Sequence, residues 1–302
     1  MLAFALEECH RVDEAEALAR GSIEKHRKDA WAHHAVAHCL EARGRMLEGV
    51  AFMRSMADQW EDRFSFMRGH NWWHTALFLV DLDRTEEALD AWQRHIWTDD
   101  KDLGDNQANA ISLLARLELR GVDVGDRWAG LAPFLKGRLH EHYSAFLDLH
   151  YLYALARAGE QSAVTEMLAS LEDRAEQAKP GEREVWADCA VPAAHGLAAH
   201  ARGDHAEAAR FLGQALPHLQ PVGGSIAQRA LFHAIDLDAM IGSGWNDAAL
   251  KVLQADDKDR PTVPNTKRAL GALLRKLGRA EQAMAAEYQA EQLSKRYKEM
   301  AT

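Results

Sequence analysis

Gly203-Asp204-His205-Ala206-Glu207-Ala208 contains, in one short phrase, the end of one helix and the start of the next. Glycine at a helix end takes the left-handed conformation of a C-cap, and an acidic or small residue then opens the following helix. Acidic groups in that first turn also meet the positive end of the helix dipole. The phrase recurs as Arg11-Val12-Asp13-Glu14-Ala15, Gly44-Arg45-Met46-Leu47-Glu48, Asp83-Arg84-Thr85-Glu86-Glu87-Ala88, Gly159-Glu160-Gln161-Ser162-Ala163, Gly244-Trp245-Asn246-Asp247-Ala248 and Gly278-Arg279-Ala280-Glu281-Gln282-Ala283. Gly121 fills the interval between the turns at Asp83 and Gly159. Successive turns lie from about 34 to about 44 residues apart, the period of helix-hairpin repeats.

Between the turns the apolar residues keep helical spacing, as in Ala110, Leu113, Leu114 and Leu117, or Leu149, Leu152, Tyr153 and Leu155. No stretch alternates convincingly as a strand. The expected fold is therefore all-α: a right-handed, tetratricopeptide-like superhelix of about eight antiparallel hairpins, an α-solenoid occupying residues 1–302 as one repeat domain. The chain opens inside the first helix of a hairpin, without a polar cap. We expect upstream repeats in a longer chain, or a partner copy covering that end, and a homodimer serves the second arrangement.

Composition narrows the partners. The 302 residues carry a formal charge of -10. Binding phosphate backbones needs clustered Lys and Arg, so nucleic acid is not expected as a partner. No run of apolar residues is long enough to span a bilayer, and the start lacks a basic leader with a cleavage site, so no membrane partner is expected either. Three cysteines, Cys9, Cys39 and Cys189, lie far apart without CxxC spacing, which fits a reducing, cytoplasmic setting.

The chemistry-bearing residues fall on the first helices of successive hairpins. In Trp31-Ala32-His33-His34-Ala35-Val36-Ala37-His38-Cys39-Leu40-Glu41, the residues His34, His38 and Glu41 project from one helical face. His70-Asn71-Trp72-Trp73-His74 repeats the pair of imidazoles one turn apart on the next hairpin. Histidine also recurs about nine residues before a turn at His34, His74, His150 and His195, which would align imidazoles along one wall of a stack. Imidazole ligates metals and moves protons near neutral pH, and a carboxylate beside it orients the ring.

Two functions follow. In the first, a histidine-rich concave groove binds a peptide or small polar molecule through His34, Asn71, Trp73, His74, Asp148, His150, Gln228 and Arg229. The tryptophans can stack a ligand there, and the Gly223-Gly224-Ser225 turn with Arg229 can receive an anion. In the second, the chain is a hydrolase or lyase with His38 or His70 as general base and Glu41 orienting it. A divalent metal held by His34, His38 and His74 is the cofactor of its variant form. The HExxH protease pattern is absent, since Ala35 follows His34 and Asn71 follows His70.

The segment WAHHAVAHCLEARGR from Trp31 to Arg45, followed by Gly69-His70-Asn71-Trp72-Trp73-His74, resembles the tetratricopeptide repeat protein 38 family. Two further blocks agree: Ser112–Leu119 with Val124-Gly125-Asp126-Arg127-Trp128, and Gly223-Gly224-Ser225 with Gln228-Arg229. The resemblance implies a tetratricopeptide-like superhelix in a longer chain, and no established reaction. Ala230 stands where an acidic residue commonly follows Gln-Arg, which weighs against a shared anion or metal role for that corner.

Overall fold

The computed structural model describes residues 1–60, 65–98 and 100–300. Within them the regular structure is entirely helical, in sixteen α-helices. The chain divides into two compact units, one built from residues 1–100 and 246–302, the other from residues 101–245. In the first, α1 (Leu2–Glu8), α2 (Val12–Lys25), α3 (Ala30–Ala42), α4 (Met46–Met56), α5 (Ser65–Asp81) and α6 (Thr85–Ala91) come first. In the second lie α7 (Gly104–Leu119), α8 (Arg127–Leu135), α9 (Ala145–Arg157), α10 (Gln161–Glu176), α11 (Val191–Ala201), α12 (His205–Ala215) and α13 (Ile226–Ser243). The first unit is completed by α14 (Asn246–Asp259), α15 (Pro264–Lys276) and α16 (Ala280–Glu299).

The turns expected from sequence are where the helices end, and for the reason expected. Gly44, Gly121, Gly159, Gly203, Gly244 and Gly278 all have φ between 66° and 84°, and Asp83 takes the same conformation with φ 61°. At Gly44 the amide bonds Glu41 O at 3.0 Å while that of Arg45 bonds Leu40 O at 2.8 Å, a Schellman ending that satisfies two orphan carbonyls. Gly44 also lies where Thr262 Oγ1 would come within 3.2 Å of an added Cβ. His10, φ 60°, closes α1 in the same way through Arg11 N to Leu6 O at 2.9 Å. That first ending carries no glycine, and it falls at the turn that Arg11-Val12-Asp13-Glu14-Ala15 marks in the sequence.

In the first unit the last helices fold onto the turns of the early ones. Thr262 Oγ1 donates to Gly44 O at 2.7 Å, Asn265 Nδ2 donates to Val80 O at 2.7 Å, and Arg260 pairs with Asp81 at 3.2 Å. A stack limited to sequence neighbours contains no such contacts. These bonds anchor the C-terminal ends of α3 and α5, the two helices that carry most of the candidate site. No helix of the described residues is long and apolar enough to cross a membrane.

Candidate metal centre

Helices α3 and α5 pack side by side, and α1 lies against α3. The spacing His34–His38 on one helix and His70–His74 on its neighbour puts a pair of imidazoles on each facing surface. All four rings are buried, none more than 3% exposed. Nε2 of His34 lies 3.0 Å from Nε2 of His38 and 3.0 Å from Nε2 of His70. His74 closes the group, its ring centroid 4.9 Å from that of His34 and 4.5 Å from that of His38. One nitrogen from each ring lies within 4.8 Å of the other three.

This convergence poses a proton problem. A neutral imidazole nitrogen carries either a hydrogen or a lone pair. If His34 Nε2 donates, it serves only one of its two Nε2 neighbours well. If it accepts, two N–H groups compete for one lone pair, and the hydrogen moves to a buried Nδ1 that has no hydrogen-bond partner. Protonation does not help, because burial, and then the neighbouring His38 and His70 rings, hold His34 well below its ordinary pKa. A cation among the rings removes the conflict by taking every inward lone pair. Tetrahedral coordination at about 2.0–2.1 Å places ligand nitrogens about 3.3 Å apart, close to the 3.0 Å that separates His34 Nε2 from the Nε2 atoms of His38 and His70.

Behind the rings stand two carboxylates. Glu7 Oε2 is 3.3 Å from His38 Nδ1, and Glu41 Oε2 is 3.5 Å from His74 Nδ1. A carboxylate there favours the hydrogen on Nδ1 and turns the Nε2 lone pair inward, as outer partners of metal-bound histidine do. Aromatic rings enclose the group: Phe4 against His34 and His38 at 5.4 and 5.1 Å, Trp31 against His34 at 5.8 Å, and Phe66 and Trp73 stacked against His70 at 5.1 and 5.2 Å. Asn71 takes no place among the imidazoles; its Nδ2 donates to Ala30 O at 3.4 Å and ties α5 to the start of α3.

Glu41 therefore serves a different ring from the one its sequence position suggests. It reaches across to His74, while His38 is met by Glu7 on α1. Glu7 and Phe4 were missed by sequence reasoning, because nothing in Leu2–Glu8 marks that helix as lying over α3. His33, adjacent to His34, is a structural histidine: it accepts from Trp60 Nε1 at 3.1 Å.

The other sequence candidates belong to the second unit and have separate partners. Asp148 does not act with His150. Its Oδ2 is 3.0 Å from Nδ1 of His142, whose Nε2 is 2.7 Å from Ser170 Oγ. Ser170 lies inside α10, where neighbouring amides belong to the helix ladder and cannot form an oxyanion hole; the set fixes the loop before α9 to α10. His150 Nδ1 donates to Phe146 O at 2.7 Å, and the ring sits against Phe146 and Phe232. His195 pairs with Glu172 at 2.9 Å and stacks on Phe211. Gln228 forms a capping box with Ser225, and Arg229 bonds the carbonyl of Gly224, so both residues hold the Gly223-Gly224 turn. No protein-family model matches the chain.

Proposed function

We propose that this chain is a metal-binding helical protein in which His34, His38, His70 and His74 hold one divalent ion from the zinc and copper end of the first transition row. The observation that carries the reading is the meeting of four buried imidazoles, with Nε2 of His34 3.0 Å from Nε2 of both His38 and His70 and one nitrogen of each ring within 4.8 Å of the others. Neutral imidazole suits such ions, and an all-nitrogen set without thiolate or carboxylate in the inner shell disfavours magnesium and calcium. Glu7 and Glu41 are the outer partners. Four protein ligands complete a tetrahedral shell, the form of closed structural sites, whereas catalytic zinc keeps a position open. We therefore assign the ion the role of joining α3 to α5 rather than of turning over substrate at His38 or His70.

The scaffold that carries this centre is, in our reading, the tetratricopeptide-like array that the resemblance to the tetratricopeptide repeat protein 38 family implies. Burial of the imidazoles favours a metal over a peptide as their occupant, since a groove side chain has to be reached by its ligand. The test is elemental analysis of purified wild type beside a His34→Ala/His74→Ala variant of unchanged circular dichroism. The variant is expected to hold about one equivalent of transition metal less than the wild type, as a single four-ligand site requires. Absence of metal from wild type even after incubation with Zn²⁺ and desalting would sink the assignment.

A further inference from the structure

The second unit holds another convergence of ligating side chains, independent of the first. The helix pair α11 and α12 turns through Arg202-Gly203-Asp204, which places His200 at the end of one helix and His205 at the start of the next. The buried alanines Ala199, Ala208, Ala209 and Ala239 let α11, α12 and α13 approach closely. Across that contact, Asp238 Oδ2 lies 3.0 Å from His200 Nε2 and 3.8 Å from His205 Nδ1. One ligating atom from each of the three lies within 4.8 Å of the others.

Both histidines are held from behind. Tyr153 Oη is 3.2 Å from His200 Nδ1, the outer position that fixes the ring of a metal-bound histidine. The ring of His205 lies across the backbone of α13 at Gly242, one turn beyond Asp238, where a Cβ would come within 2.4 Å of its Cγ. His205 Nδ1 is buried and has no hydrogen-bond partner. The hydrogen bond from His200, outweighing burial, holds Asp238 below the ordinary carboxylate pKa, so it stands as an anion.

We propose that His200, His205 and Asp238 form a second divalent-metal site, of the two-histidine, one-carboxylate class. The side chains of His205 and Asp238 are 36% and 43% exposed, so an ion there keeps coordination positions open to water or a small ligand. This donor set accommodates Fe²⁺, Co²⁺ or Zn²⁺. Binding through His200 Nε2 places its remaining hydrogen on Nδ1, where Tyr153 Oη accepts it. The two sites then differ in kind: one is closed by four imidazoles, the other open on one side.

The experiment uses the full chain carrying His34→Ala/His74→Ala, so that the first centre cannot contribute, with Co²⁺ as the probe. Binding is read by calorimetry and by the visible d–d absorption of the ion. About one equivalent of Co²⁺ is expected in this background, falling at least ten-fold in affinity when His205→Ala or Asp238→Asn is added. Asp238→Asn keeps the side chain's shape and guards against a folding defect in His205→Ala. No Co²⁺ binding in the folded background, or binding that both added substitutions leave unchanged, overturns the proposal. Neither result bears on the four-histidine centre, which is read with His205→Ala alone.

Discussion

The four imidazoles between α3 and α5 and the single imidazole of His150 in α9 are equally buried, yet their nitrogens face opposite situations. His150 satisfies Nδ1 on the carbonyl of Phe146, leaves a single Nε2 without a hydrogen-bond partner and packs its ring against two phenyl rings, with no second imidazole nitrogen of the described residues facing it. His34 meets two other imidazole nitrogens at 3.0 Å, and its one Nε2 hydrogen or lone pair serves only one of them well. Burial of histidine is therefore no sign of a site. What marks one is a set of lone pairs that cannot all be satisfied by each other, with carboxylates standing behind two of the rings.

The largest expected effect tests this difference directly. With free Zn²⁺ at about a thousand times its dissociation constant, binding adds about 4 kcal/mol to the stability of the metal-bound form. Wild type and a His150→Ala variant should both show the corresponding rise in melting temperature on adding Zn²⁺. With His205→Ala added to silence the second proposed site, the His34→Ala/His74→Ala variant should show none. A comparable rise in that triple variant would mean that the ion binds elsewhere, and would end the contrast. His150→Ala should instead lose about 2–3 kcal/mol by chemical denaturation, through the cavity left between Phe146 and Phe232, with metal content unchanged.

How far the chain could be read from sequence follows the same division between local and distant causes. The turns were legible because left-handed glycine and acidic helix starts act within a few residues; Gly44, Gly203 and Gly278 all ended helices as read. The pairs His34–His38 and His70–His74 were legible because helical geometry alone fixes which residues share a face. The carboxylate partners were not. Glu41 was assigned by spacing to its own helix, but the contact between α3 and α5 sends it to His74. Glu7 reaches His38 from a helix that announces nothing in its sequence. Asp238 lies 38 residues from His200, and only the packing of α11, α12 and α13 joins them.

Acid sharpens the comparison at the structural histidine. Burial pushes His150 down to about 4, against about 6.5 in an unfolded chain. Between those values the unfolded chain binds a proton that the folded protein refuses, so stability rises with pH across this window and falls as pH drops from about 6.5 to about 4. The loss attributable to His150 is on the order of 3 kcal/mol over the full window. His150→Phe, which keeps a ring and removes the proton site, should show a correspondingly shallower decline in unfolding free energy measured at successive pH values. An unchanged pH profile would place the acid sensitivity in other groups.

The smallest effect separates a carboxylate that orients a ligand from one that merely neighbours it. Glu7 is buried, stands 3.3 Å from His38 Nδ1, and its Oε2 has no hydrogen-bond partner. An ion drawing electrons from His38 Nε2 makes the hydrogen on Nδ1 more acidic and strengthens its attraction to that carboxylate, so the contact should tighten on metal binding. Glu7→Gln keeps the shape and removes the charge. Metal affinity should fall about ten-fold, equivalent to about 1.4 kcal/mol, with stoichiometry retained. Glu14→Gln, on α2 at an exposed carboxylate paired with Arg11, should leave affinity within a factor of about two if orientation rather than total charge is the cause. Equal losses from both substitutions would point to the general field of the carboxylates and remove Glu7 from its particular role.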